Sequence, residues 1–279
     1  MGILDYFKPV DSMSAEEARQ FLKTKRPDEY HLIDVRQPRE YERGHLPGAI
    51  LIPLGELPER LKELDPHKTT ITYCGSGARS RAAAAILDDN GFSEVFNMSG
   101  GIREWEGLSA QGAPESGMAF FTPASTPEEL IGLAWTLEEG SRTFYSLLST
   151  SLDDAESRKL FLDLAGAEDH HKASLTDLYR SFSGREPAAD FPLGLLQLEA
   201  PGDIMEGGMR ISKAMEWLKG KGSDVALELA ISLESNAYDL SIKMRRRMKD
   251  EKSRKVFHVL AAEEKTHLER LGKLLERKV

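Results

Sequence analysis

The order of apolar and polar positions changes character once along the chain. Up to about Gly112, short apolar runs alternate with helical patterns. Residues 31–35 and 70–73 are runs of apolar and β-branched side chains and read as buried strands; residues 94–97 read as another. Ser14-Ala15-Glu16-Glu17 has the form of a capping box and opens a helix through Leu22. The alanine-rich stretch 80–87 reads as a helix stopped by Asn90-Gly91. Strands alternating with helices predict an α/β domain over 1–112, a mainly parallel sheet flanked by helices. Residues 113–126 are rich in Pro, Ser, Thr and Gly and read as a linker, with Phe120 and Phe121 placed to dock onto one domain.

From residue 127 onward the period is helical. Phe161, Leu164, Glu168, His171, Leu175 and Leu178 are spaced 3, 4, 3, 4, 3, and Phe257, Leu260, Glu264, His267, Leu271 and Leu274 repeat that spacing. Two seam positions per heptad are the mark of a helix bundle. Four long helices are predicted, at about 127–150, 153–182, 223–248 and 251–277. Between the middle two, a crossover at about 183–222 carries Pro187, Pro192 and Pro201 and a short helix at about 205–218. One long crossover between two helical hairpins is the connectivity of an all-α ferritin-like four-helix bundle.

The bundle text is a repeat. Glu138 is followed thirty residues later by Glu168-Asp169-His170-His171, and Glu234 thirty residues later by Glu264-Lys265-Thr266-His267. Leu133, Ala134 and Leu137 recur as Leu229, Ala230 and Leu233, and Ser157-Arg158-Lys159 recurs as Ser253-Arg254-Lys255. In each Glu-x-x-His the acid and the imidazole share one helix face, and that face is the apolar seam. Burying four unpaired carboxylates costs several kcal/mol each. Two divalent ions offset four carboxylates, and two imidazoles complete the coordination. Glu138, Glu168, His171, Glu234, Glu264 and His267 are therefore the predicted metal ligands, two acids alone on their helices and two in Glu-x-x-His pairs. Glu139 and Glu263 lie one step round their helices and are expected to be solvated; His170 lies off the seam.

Cys74 opens a different site. In Tyr73-Cys74-Gly75-Ser76-Gly77-Ala78-Arg79-Ser80 it joins a strand to the alanine-rich helix. Backbone N–H groups, the positive helix end and Arg79 all favour thiolate over thiol, which predicts a nucleophile. Glycines at 75 and 77 let the backbone curl around the sulfur. Loops of the form Cys-x5-Arg cradle phosphate, but Arg79 is five positions after Cys74. The loop is one residue shorter, which suits sulfur better than a tetrahedral phosphate.

Both halves resemble known families. Leu137-Glu138-Glu139-Gly140, Phe144-Tyr145 and Ala167-Glu168-Asp169-His170-His171 resemble the rubrerythrin-type ferritin-like family over 127–279. The resemblance implies a centre of two iron ions, with manganese or zinc as substitutes, that reacts with peroxide or dioxygen. It also implies that Tyr145 lies beside the metal; its repeat partner is Ser241, and core packing is the other reading of this phenol. Leu32-Ile33-Asp34-Val35-Arg36, Gly44-His45-Leu46-Pro47-Gly48-Ala49, the Cys74 loop and Gly100-Gly101-Ile102-Arg103-Glu104-Trp105 resemble a single-domain rhodanese over about 10–112. That resemblance implies a sulfurtransferase in which Cys74 carries a persulfide stabilised by the amides of Gly75, Ser76, Gly77, Ala78 and Arg79. Asp34, Arg36 and His45 read as structural.

Composition narrows the partners. A net charge of −9 argues against binding nucleic acid through phosphates. No apolar run approaches the ~20 residues that span a bilayer, and residues 1–10 do not read as a signal peptide. Cys74 is the lone cysteine, so a reducing, cytoplasmic setting is expected. Without Cys-x-x-Cys the chain lacks the rubredoxin-like module of full-length rubrerythrins, so an external electron donor is expected. A small sulfur donor, a thiol-type acceptor and a homodimer complete the expectations. The alternative is a rhodanese whose bundle only stores metal or serves as an assembly scaffold; coupling between the two sites is a further possibility.

Overall fold

The structure is a computed structural model that describes residues 10–114, 118, 125–196 and 201–278. Phe120 and Phe121, the aromatics expected to dock, lie outside the described residues. The chain divides into two compact units, Met1–Ser116 and Gly117–Val279.

In the first unit, β1 (Ser12–Met13), β2 (Tyr30–Asp34), β3 (Ile50–Leu51), β4 (Thr69–Tyr73) and β5 (Val95–Met98) form one parallel sheet in the order β1-β5-β4-β2-β3. All of β2 and four of the five residues of β4 are buried, the signature of strands covered on both faces. The helices are α1 (Ala15–Thr24), α2 (Pro38–Arg43), α3 (Leu57–Arg60) and α4 (Ala78–Asp89). The capping box forms: Glu17 N donates to Ser14 Oγ at 3.2 Å, and Ser14 N donates to Glu17 Oε2 at 2.7 Å. Gly91, at φ +84°, ends the turn that leaves α4. Asp34 and Arg36 form a buried pair, Nη2 to Oδ2 at 2.6 Å, and Arg36 also donates to the Gly44 carbonyl at 2.7 Å. His45 stacks on Tyr41 with ring centroids 3.6 Å apart. Asp34 and Arg36 brace the turn that follows β2, and His45 packs on α2.

In the second unit, α5 (Pro127–Ser151) runs along α6 (Ala155–Ser183), and α8 (Ser223–Arg247) along α9 (Glu251–Lys278), with α7 (Ile211–Leu218) in the crossover. Every predicted seam position of α6 and α9 is buried except His171, which is half-buried. The apolar core falls into two clusters. One gathers Phe144, Phe161, Leu164, Leu227 and Leu271; the other gathers Leu133, Leu175, Leu240, Phe257 and Leu260. On each long helix a glutamate lies between the residues that feed the two clusters, so polar side chains interrupt the core at one level.

The crossover differs from its prediction. The helix expected from residue 205 begins at Ile211, and residues 206–208 form a 3-10 turn with Gly207 and Gly208 at φ +70° and +74°. Met205 N donates to Met209 O at 3.0 Å, closing the turn. It lies so close to α5 that a Cβ on Gly140 would collide with the Ile204 carbonyl. Among the described residues no helix is long and apolar enough to cross a membrane.

Candidate functional sites

Cys74 follows the last residue of β4, a central strand, and α4 starts four residues later. Ligand sites of parallel sheets form at the carboxyl ends of strands. The loop curls because Gly77 takes φ +93° as the cap of α4, and its N–H donates to Cys74 Sγ at 3.1 Å. The loop is fixed from behind. Ile102 N donates to the Cys74 carbonyl at 2.8 Å and Arg103 N to the Gly75 carbonyl at 3.3 Å. Gly101, at φ +61°, must be glycine, since a Cβ there would strike the Cys74 carbonyl and the Ser76 amide nitrogen. With its carbonyls engaged, the loop turns the amides of Ser76 and Gly77 to the sulfur.

Burial of Cys74 opposes ionisation, but the Ser80 hydroxyl and the amides of Ser80, Ser76 and Gly77 outweigh it, so the thiol lies below its ordinary range. The Ser80 hydroxyl lies 3.5 Å from the sulfur and 2.7 Å from Asn97 Oδ1. Its one proton serves Asn97 or the thiolate. Ser80→Ala keeps the backbone donor and removes the hydroxyl, so the thiol is expected to ionise at higher pH. Alkylation by iodoacetamide then slows several-fold at neutral pH and matches wild type at alkaline pH, where both sulfurs are ionised. Identical pH profiles would contradict this. Arg79 is gripped by Glu40 of α2 through two hydrogen bonds of 2.8 Å. These hold the Glu40 carboxyl at about 2 and raise the guanidinium further.

The six predicted metal-binding side chains meet in the bundle. Glu138, Glu168, Glu234, Glu264 and His267 are each no more than 2% exposed. His171 Nδ1 lies 3.0 Å from Glu168 Oε2 and 3.2 Å from Glu138 Oε2. His267 Nδ1 lies 3.3 Å from Glu234 Oε1 and 3.5 Å from Glu168 Oε1. The two imidazoles stack with centroids 4.8 Å apart. Tyr145 donates a hydrogen bond to Glu234, and burial raises its phenol well above the ordinary value. Burial, then neighbouring acids, push Glu168 and Glu264 well above the usual carboxylate range. Glu234 instead falls to about 2, where His267 and its hydrogen bonds outweigh burial.

These residues fit a metal. Glu138 Oε1, Glu168 Oε1, Glu234 Oε2, Glu264 Oε2 and His267 Nε2 are buried without a hydrogen-bond partner. Such groups are costly unless a cation or proton meets them. Ligand atoms group in overlapping threes, among them Glu168-His171-His267 and Glu234-Glu264-His267. Carboxylate oxygens with imidazole nitrogens suit iron, manganese or zinc.

Two expectations about neighbours need correction. Glu263 is half-buried and turned to His171 and Glu138, and burial with the nearby Glu138 raises its carboxyl to about 7. It precedes Glu264 by one step round the helix and so lies at the level of the acids. Glu139 is also half-buried, because Arg142 and Lys172 clamp it. His170 is exposed. Glu206, from the crossover, is buried within the acid cluster and had no signal in the helical period.

Comparison with known proteins agrees with this division. The Rhodanese-like domain family model matches residues 14–108, and the Rubrerythrin family model matches residues 129–275. Protein YqhL of Bacillus subtilis is 45% identical over 76 residues, 27% of this chain and 60% of its own. Thiosulfate sulfurtransferase PspE of Escherichia coli is 42% identical over 76 residues, 26% of this chain and 72% of its own. The chain spans 52% and 60% of the length of two Bacillus subtilis relatives it matches. A crystal structure of a rhodanese-like domain protein from Staphylococcus aureus is 28% identical, covers 34% of this chain and 90% of that one, and gives a TM-score of 0.32. Since the second match takes in more than half of the 279 residues, the chain belongs to the rubrerythrin family and carries a rhodanese-like domain ahead of its ferritin-like bundle.

Proposed function

We propose that this chain is bifunctional, a sulfurtransferase at Cys74 and a di-iron centre in the bundle that reacts with peroxide or dioxygen. At the first site the Cys74 thiolate attacks the outer sulfur of a small sulfane donor such as thiosulfate. The donor's S–S bond breaks, sulfite leaves with the bonding pair, and Cys74 holds a persulfide. A thiol-type acceptor then takes the outer sulfur and restores the thiolate. The amides of Ser76, Gly77 and Ser80 meet the sulfur, and those of Gly75, Ala78 and Arg79, with the Arg79 cation, would complete the cradle for the anionic outer sulfur. Donors gathered around Cys74 Sγ support this half. A reducing, cytoplasmic setting suits it, because the thiol must stay free.

In the bundle, Glu138, Glu168, His171, Glu234, Glu264 and His267 would hold two iron ions. Iron bound there would supply the electrons that reduce peroxide or dioxygen, replenished by an external donor. The chain's own residues do the rest. Tyr145 keeps its proton, directed at Glu234, and can hold it beside the site. Phe144 and Phe161 pack around Tyr145 and limit water. The buried, unpartnered ligand atoms carry this half of the reading. Ferrous-loaded protein mixed with peroxide is expected to oxidise rapidly and, with a reductant, to turn over repeatedly. Slow oxidation in a single turnover would instead mark the bundle as a metal store.

A further inference from the structure

Glu206 comes from no bundle helix, yet its side chain reaches the acid cluster. It is 7% exposed. Ser141 Oγ donates to Glu206 Oε2 at 3.0 Å, and the Glu206 amide donates back to Ser141 Oγ at 3.4 Å. The left-handed pair Gly207-Gly208 and the close approach at Gly140 press this turn against α5. The placement is over-determined, as an accidental contact is not.

Its neighbours give its position. Ligand atoms of Glu206 lie within 4.8 Å of those of Glu138 and Glu264 in one group, and of Glu168 and Glu234 in another. These two groups contain no histidine, whereas every other group does. Glu206 thus spans both halves of the cluster on the side away from the imidazoles. Within the same groups, Glu138 Oε1, Glu168 Oε1, Glu234 Oε2 and Glu264 Oε2 are buried and unpartnered.

We propose that Glu206 is a further metal ligand, a fifth buried carboxylate that the crossover supplies to the two-metal centre on its histidine-free side. The proposal rests on the reading of the bundle as a metal site. A fifth carboxylate adds negative charge where two ions meet four others, which tightens divalent binding and fills coordination positions that water would otherwise take. Ser141 is a positioning residue that aims it.

The test is Co2+ titration of the full chain, followed by visible absorption and thermal melting with and without metal. Wild type is expected to take up two ions. E206Q is expected to bind at least one of them about tenfold more weakly, with an altered visible band as the coordination sphere changes. S141A should show the same changes to a smaller extent. Without metal, E206Q should melt no lower than wild type, because a buried acid has been removed; its metal-induced stabilisation should shrink. A purely structural role would lower both melts together and leave the band unchanged, which overturns the proposal. Unchanged affinity and spectrum in E206Q also overturn it. Wild type that takes up no Co2+ overturns the underlying reading as well.

Discussion

Cys74→Ser protein is expected to lose thiosulfate-to-cyanide sulfur transfer by about a thousandfold or more. A serine hydroxyl does not ionise near neutral pH and cannot form the S–S bond that holds the transferred atom. The substitution leaves the framework intact. Serine nearly matches the volume of Cys74 in its buried position, and its oxygen can accept the Gly77 amide that now meets the sulfur. Stability should change by no more than about 1 kcal/mol, so lost transfer with a melt shifted by only a few degrees is a loss of chemistry. Transfer retained in Cys74→Ser would end the sulfurtransferase reading.

Much of the fold was legible because its periodic signals are long or covalently local. The seam of α6 and α9 repeats over several turns, and the helices lie within about two residues of their predicted ends. The box at Ser14 and Glu17 needs only neighbours in sequence. β1 and β3 were not legible: each has two residues, too few for any period, and exists only because β5 and β2 offer it hydrogen bonds. The late start of α7 has a different cause. The expected start at residue 205 gave too little weight to Gly207-Gly208, a pair that disfavours helix; both glycines take left-handed angles, and packing against Gly140 holds residues 206–208 in a turn.

The candidate sites divide the same way. The spacing of Glu138, Glu168, His171, Glu234, Glu264 and His267 is a helical repeat, and the structure brings all six together. Tyr145 reaches Glu234. Glu206 and Glu263 were not legible as members of the cluster. The first is on an irregular segment, and the second is off the seam by one position, where the helical period predicts a side chain turned away from the cluster. The role of Glu40 was not legible, since nothing local says that an acid 39 residues before Arg79 will grip it. A Gly-Gly pair ahead of Ile102 was legible as a motif, whereas its task of turning the Cys74 loop needs the contact itself.

Glu168→Ala and Glu264→Ala are expected to strip the bundle of metal. Each acid belongs to two overlapping ligand groups, so its loss removes a ligand from both at once. Each is also wholly buried, with one oxygen that lacks a hydrogen-bond partner. A carboxylate left so costs several kcal/mol, and its removal relieves that cost while alanine suits the helix. The variants should therefore stay helical by circular dichroism. The deciding measurement is elemental analysis of the full chain after growth replete in iron, manganese and zinc. About two ions per chain are expected in wild type, and one or fewer in each variant. Fewer than one ion per chain in wild type, or two retained in both variants, would contradict a metal centre built from these six residues.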